Sequence, residues 1–196
     1  MNLARLTQGI KHPSLATRFI YRQVVGGGGN DGIDVLVRDW DELIIWDACC
    51  ADAFEEVVAP DRDGNLSTIE SRGSATVEWI KENFAGRNLN DVVYVSANGW
   101  LHRISDRIKA KVHAADWLYT SEFRNEMGTV APRIVTERAL QFASEYPNKR
   151  LIVHYVQPHK PFLGETAEKH FKHAEGINMN EMMRKAPDAT ISDLRS

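Results

Sequence analysis

The sequence has few cysteines, no long apolar run and no marked excess of charge of one sign. Its two cysteines among 196 residues, Cys49 and Cys50, are adjacent, which excludes a disulfide scaffold and favours a reducing compartment. The longest apolar runs, such as residues 43–46, are strand-sized, whereas a membrane span needs about 18 apolar residues. A net charge of −3 gives no general reason to bind nucleic acid, and the first residues lack the order of a signal peptide. These absences predict a cytoplasmic protein with no membrane span and no nucleic-acid partner.

The overall composition is that of an ordinary folded domain, but acidic and basic residues are unevenly distributed along the chain. Hydrophobic residues make up 43% and charged residues 26% of the chain, which is typical of a domain with a sizeable core. Residues 1–25 contain four bases and no acid, whereas residues 31–64 contain eleven acids against two bases. Four consecutive glycines at 26–29 separate these segments and have the backbone freedom of a hinge. We therefore predict a basic appendage with its hinge at 1–29, a core at 30–164 and a polar tail at 165–196.

Strand and helix patterns alternate along the core. Apolar, strand-sized segments occur at residues 43–46, 92–95 and 151–155. Helical patterns occur at residues 47–57, 75–84 and 130–146, and the last of these contains Pro132 near its start and ends before Pro147. This alternation predicts an α/β fold, in which a doubly wound, mostly parallel sheet has helices on both faces.

The predicted strand ends carry groups that suit the cleavage of an ester. The first strand leads to Asp47, the second to Asn98 and the third to His154 and His159, while Ser74 precedes a helix. The carboxyl ends of parallel strands form one edge of the sheet, and a helix N-terminus there favours an anion. A carboxylate, a hydroxyl and imidazoles at one edge are the parts of a metal-assisted phosphoryl transfer. Each residue also has a structural interpretation, because Asp47 and Ser74 are ordinary helix caps and His154 fits a buried strand.

Three segments of the core resemble the successive motifs of archaeal sulfatase-like proteins in the alkaline phosphatase superfamily. They are residues 41–49 (DELIIWDAC), 71–79 (SRGSATVEW) and 154–162 (HYVQPHKPF). The resemblance implies that Asp47 binds a divalent metal and that Ser74 is the nucleophile, with Thr76 as the second choice. It also implies that His159 faces the transferred phosphate or sulfate. We add His154 and Asn98 to the substrate-binding side of this site.

The sequence departs from the family pattern at three points. Cys50 and Ala51 stand where the first motif often continues with arginine and tyrosine, so a cationic anchor is missing. The residues around Ser74 lack the C/S-x-P-S-R motif from which sulfatases form formylglycine, which favours an unmodified hydroxyl acting on a phosphate ester. A later Asp-His-Gly-Glu type motif, which supplies further metal ligands in the family, does not occur in the sequence. We therefore expect a C-terminally truncated form of the alkaline phosphatase-like fold that binds metal weakly.

Two functions from different classes fit these features. The first is a metal-dependent hydrolase or transferase acting on small-molecule or glycan-linked phosphate esters, with sulfate esters less favoured. Zinc or manganese is the preferred cation, ahead of calcium or magnesium. The second is a non-catalytic remnant of the same fold that binds an anion or a partner, so whether the chain is an enzyme stays open. In either case an exposed sheet edge would favour self-association or the binding of a partner.

Overall fold

The computed structural model of the chain describes residues 32–121, 129–159 and 162–163. The predicted appendage and hinge at 1–29 and the predicted tail at 165–196 lie outside the described residues. Among the helices of the described residues, none combines the length and the apolar composition that crossing a bilayer requires.

A four-stranded, all-parallel sheet forms the centre of the described fold. Its strands are β1 (Glu42–Trp46), β2 (Asn88–Ser96), β3 (Lys111–Trp117) and β4 (Arg150–Tyr155). They lie in the order β1-β4-β2-β3, so β4 and β2 are central while β1 and β3 form the edges. Residues 92–96 and 151–154 are buried without a break, as expected for parallel strands that are covered on two faces. The predicted α/β class and parallel sheet are confirmed.

Five α-helices connect these strands within the described residues. They are α1 (Ala51–Val57), α2 (Thr76–Phe84), α3 (Trp100–Ile108), α4 (Leu118–Ser121) and α5 (Pro132–Glu145), and short 3-10 helices occupy Val35–Val37 and Ala59–Asp61. The predicted helices at 75–84 and 130–146 correspond to α2 and α5. Three elements, α3, α4 and β3, are not among those that the sequence patterns predict.

Helices cover both faces of the sheet because side chains alternate along the central strands. On β2, Val92 and Tyr94 join a cluster that includes Phe84 of α2 and the apolar side of α3. Val93 and Val95 point to the opposite face, where they pack in a second cluster with α5. Consequently α2 and α3 lie on one face and α5 lies on the other, which is consistent with a doubly wound arrangement.

Two helix starts differ from the prediction. α1 begins at Ala51, with Cys50 as its N-cap, so the interpretation of Asp47 as a helix cap is wrong. α2 begins after Ala75, so the prediction that Ser74 is its N-cap is also wrong. In both places a turn separates the preceding segment from the helix, and hydrophobic periodicity does not locate such turns.

Candidate functional site

Asp47 is the first residue after β1 and lies at the carboxyl edge of the sheet. Its N–H donates to the Tyr155 carbonyl at the end of β4, at a distance of 3.3 Å. Ala48 then takes a left-handed φ of 60°, and the Cys49 N–H closes the turn on the Trp46 carbonyl at 3.3 Å. A left-handed conformation costs a residue with a side chain about 1–2 kcal/mol, so the surrounding contacts must hold this turn. The turn places the Asp47 side chain at the edge of the sheet, where it is 15% exposed.

Thr76 brings a hydroxyl onto this carboxylate from α2. It is the first residue of the helix, after the N-cap Ala75. Its Oγ1 lies 2.9 Å from Oδ1 and 3.1 Å from Oδ2 of Asp47, so its single proton is shared between the two oxygens. The carboxylate therefore lies at the N-terminal end of α2, where the helix dipole stabilises negative charge.

Asn98 holds the same carboxylate from the end of β2. Ser96 shapes the turn there, because its Oγ donates to the Asn98 carbonyl at 2.7 Å and accepts the Asn98 N–H at 3.0 Å. The side-chain Oδ1 of Asn98 accepts the Trp100 N–H at 2.9 Å at the start of α3. Its Nδ2 donates to Oδ2 of Asp47 at 2.7 Å. The side-chain amide of Asn98 thus joins the first turn of α3 to the end of β1, because its oxygen and its nitrogen both form hydrogen bonds.

A buried histidine lies behind the carboxylate. His154 is 1% exposed, and its Nε2 lies 4.0 Å from Oδ2 of Asp47. Its Nδ1 lies 2.7 Å from the hydroxyl of Tyr94 on β2. Burial lowers the pKa of His154 to about 4 although the charge of Asp47 raises it, so the imidazole is neutral at neutral pH. Within the described residues, His154 Nε2 is a buried nitrogen with no hydrogen-bond partner.

The phenol of Tyr94 stays protonated beside this histidine. Burial raises the pKa of Tyr94, and the charge of Asp47 raises it further. Tyr94 and Trp79 both pack on the His154 ring, with centroid distances of 6.1 Å and 6.3 Å. The surroundings of His154 are therefore aromatic and shielded from solvent, which explains why the neutral imidazole is favoured.

Ser74 and His159 make different contacts. The exposed Ser74 donates from its Oγ to Oε2 of Glu78 at 2.7 Å, and its N–H donates to the same oxygen at 3.1 Å. These bonds tie the residue that precedes the N-cap Ala75 to the first turn of α2. His159 lies in the turn after β4, where its N–H donates to the Val156 carbonyl at 3.0 Å. Of the predicted site residues, the structure gathers four into one set of contacts, which we call the Asp47 network: Asp47, Thr76, Asn98 and His154.

The loop before α2 is held in place by a close approach between the backbone at Gly73 and the backbone of α2 at Trp79. A Cβ on Gly73 would lie 2.3 Å from the backbone nitrogen of Trp79, so glycine is required at this point. Arg72 donates to the Glu82 carbonyl on α2 at 3.0 Å and forms a salt bridge with Asp34 at 3.0 Å. These contacts fix the loop against α2, and the start of that helix is thereby held at the sheet edge.

Sequence reasoning did not identify Tyr94 and Trp79 as neighbours of the site. Tyr94 lies within an apolar strand, where an aromatic residue is usually part of the core. β2 and β4 are parallel, and Ser96 of β2 pairs with His154 of β4. Tyr94 lies two residues before Ser96, so its side chain is on the same face of the sheet as those of Ser96 and His154. The relevant signal is this pairing of two strands that are distant in sequence, which the sequence alone does not provide.

The Asp47 network offers part of a ligand set for a divalent cation. A carboxylate oxygen and an imidazole nitrogen are common ligands of zinc and manganese, and the unpartnered Nε2 of His154 faces Asp47. Within residues 32–121, 129–159 and 162–163, however, no group of three or more His, Cys, Asp or Glu side chains could hold a metal ion. Asp47 and His154 therefore have side chains that suit a metal ion, but two ligands are fewer than a complete metal site requires.

Comparison of the chain with models of protein families, with curated proteins and with solved structures finds no match. The resemblance to archaeal sulfatase-like proteins consequently rests on the three sequence motifs. The geometry of the Asp47 network is independent of that resemblance, because it follows from the contacts of the described residues.

Proposed function

We propose that the chain is a sulfatase-like, metal-dependent hydrolase or transferase that acts on phosphate esters through the hydroxyl of Thr76. The observation that most supports this proposal is the hydrogen bond that Thr76 shares between both oxygens of Asp47. A hydroxyl becomes a nucleophile when a neighbouring group accepts its proton or when its pKa is lowered. Thr76 has such a neighbour, and it lies at a helix N-terminus that favours an anionic ester. We therefore prefer Thr76 to Ser74, whose hydroxyl donates to Glu78.

Asp47 and His154 would hold the divalent cation, with zinc or manganese as the preferred ion. When bound, such an ion supplies Lewis acidity that lowers the pKa of a nearby hydroxyl. In the tautomer whose Nδ1–H donates to Tyr94, the neutral His154 has a free lone pair on Nε2, as a metal ligand requires. Asn98 keeps the carboxylate oriented through its 2.7 Å hydrogen bond.

The proposed reaction is an in-line displacement at phosphorus. Oγ1 of Thr76 forms a new P–O bond while the bond from phosphorus to the leaving oxygen breaks, and the hydroxyl proton passes to Asp47. The leaving oxygen departs as a phenolate or alkoxide with the electron pair of its bond. In the second displacement, the oxygen of water or of an acceptor alcohol bonds to phosphorus while the P–Oγ1 bond breaks. Asp47 then returns its proton to Oγ1, and the attacking oxygen loses its proton to solvent. The protein is a hydrolase if water is the acceptor and a transferase if an alcohol is the acceptor, because both reactions pass through the same phosphothreonine intermediate.

An activity assay with matched variants tests this proposal. The full chain is incubated with zinc or manganese and an aryl phosphate, and the release of the phenol is followed for the parent, Thr76→Ala and Ser74→Ala. We expect activity in the parent and in Ser74→Ala and its loss in Thr76→Ala. Activity that survives Thr76→Ala would show that Thr76 is not the nucleophile, and loss of activity in Ser74→Ala alone would give that role to Ser74.

The second candidate function is a non-catalytic module that binds an anion or a partner. One observation favours it: Asp47 already receives hydrogen bonds from Thr76 and Asn98, so the carboxylate has a structural use in joining β1, α2 and β2. A brace of this kind needs no metal. Absence of phenol release with either cation, in a chain that is folded by circular dichroism, would favour this candidate over the enzyme.

A further inference from the structure

The outer side of β1 and α1 is apolar and uncovered within the described residues. β1 is an edge strand whose described neighbour is β4, and its Ile44 and Trp46 are 58% and 39% exposed. These two side chains share one face of the strand, because they are two residues apart. Phe54 of α1 packs on Trp46 with ring centroids 5.6 Å apart. α1 has no buried residue, and its Val57 is 70% exposed.

This surface is also strongly acidic. Between residues 39 and 61 the sequence contains eight acids and no lysine or arginine. Three of the acids lie on α1 and are exposed, namely Asp52, Glu55 and Glu56. Within the described residues, neither Glu55 nor Glu56 forms a salt bridge. We call the surface made by the exposed apolar and acidic side chains of β1 and α1 the acidic edge: Ile44, Trp46, Val57, Asp52, Glu55 and Glu56.

The chain itself contains a segment of complementary chemistry. Residues 1–25 carry four bases and no acid, and their apolar residues are numerous. Within this segment, Arg18 and Arg22 are four residues apart, as are Leu15 and Phe19. Residues with this spacing lie side by side on a helix, so the pattern combines a basic pair with an apolar pair. An apolar acidic surface and an apolar basic segment are therefore present in one molecule.

The connection between the basic segment and the described fold is short. The described chain begins at Gly32, where the Ile33 N–H donates to the Glu70 carbonyl at 3.0 Å, and it enters β1 at Glu42. Residues 26–31 include the four glycines and reach at most about 20 Å when fully extended. A tether of this length gives the basic segment an effective concentration on the order of millimolar near its own fold.

We propose that the segment at residues 1–25 docks on the acidic edge of its own chain. Its apolar side chains cover Ile44, Trp46 and Val57, while Arg18 and Arg22 face Glu55 and Glu56. The contact covers the exposed side chains of Ile44 and Trp46 on the edge strand β1, where an apolar surface would otherwise favour association with a second chain.

Hydrogen–deuterium exchange of the full chain with a charge swap tests this docking. The test variant, Arg18→Glu with Arg22→Glu, reverses the charge of the basic pair. The matched control, Arg107→Glu with Lys111→Glu, reverses the charge of two exposed bases that lie away from the acidic edge. Losing two exposed ion pairs should raise amide exchange in residues 42–57 roughly two- to tenfold, and the matched control should leave it unchanged. Adding Glu55→Arg with Glu56→Arg to the first variant should restore the protection. Circular dichroism of each variant verifies that the core remains folded.

Three results would overturn the proposal. The first is unchanged exchange in residues 42–57 when Arg18 and Arg22 are reversed. The second is protection that appears only as the molecular mass doubles in sedimentation, which would mean that the segment docks on a second copy. The third is binding of the chain to vesicles containing an anionic phospholipid that depends on Arg18 and Arg22, while exchange in solution does not depend on them.

Discussion

The Thr76 hydroxyl should contribute measurably to stability, because it donates to a largely buried carboxylate. Thr76→Val removes the donor and keeps the shape of the side chain. A hydrogen bond to a charged acceptor contributes about 1.5–3 kcal/mol, but Asp47 keeps the donor of Asn98 and is 15% exposed to water. We therefore expect the free energy of unfolding to fall by about 1–2 kcal/mol. For a chain of this size, that corresponds to a decrease in Tm of roughly 3–6 °C.

Equilibrium unfolding in urea, followed by circular dichroism, measures this difference directly. Ser74→Ala is the matched control, because it also removes a hydroxyl beside the start of α2. The Ser74 hydroxyl is exposed, so its removal should change the free energy of unfolding by no more than about 0.5 kcal/mol. Equal losses in the two variants, or no loss in Thr76→Val, would contradict a stabilising hydrogen bond from Thr76 to Asp47.

Three further perturbations test the surroundings of the site. Gly73→Ala should lower the free energy of unfolding by about 2–3 kcal/mol in a thermal melt, because its Cβ meets the backbone of Trp79; a neutral effect would contradict the close approach. Tyr94→Phe leaves the Nδ1 of His154 without its partner and should cost about 1–3 kcal/mol in urea unfolding, whereas an unchanged midpoint would mean that this hydrogen bond contributes nothing. Burial raises the pKa of Asp34, but hydrogen bonds and neighbouring arginines outweigh it, so the folded pKa is lowered. The difference in free energy of unfolding between the parent and Asp34→Asn should therefore be largest above about pH 4 and should shrink as the pH falls below that value. A difference that stays constant down to the lowest pH would contradict the lowered pKa of Asp34.

Three of the four described strands are evident from the sequence, and one is not. β2 and β4 contain continuous apolar runs because both faces of these central strands are covered, and β1 contains such a run although its Ile44 and Trp46 are exposed. β3 lies at an edge and includes Lys111, His113 and Asp116, so it has no such run. α3, in contrast, has the spacing of an amphipathic helix, since Trp100, Leu101, Ile104 and Ile108 recur at intervals of three and four residues, but the predicted helices do not include it.

The strand ends predicted most of the Asp47 network, but they could not choose its hydroxyl. Asp47, Asn98 and His154 follow from the rule that the carboxyl ends of parallel strands share one edge. Ser74 and Thr76 both lie within two residues of the helix start, and sequence patterns locate that start only to within a few residues. The choice depends on Ala75 being the N-cap, which turns Thr76 rather than Ser74 toward the carboxylate.

Calorimetric titration of the full chain with zinc distinguishes a metal site at Asp47 from a purely structural brace. We predict saturable binding that Asp47→Asn abolishes, and that the matched variant Asp52→Asn, which removes a nearby exposed carboxylate, leaves unchanged. Absence of saturable binding, or binding that survives Asp47→Asn, would show that Asp47 holds no zinc and would leave the Asp47 network as a brace of the fold.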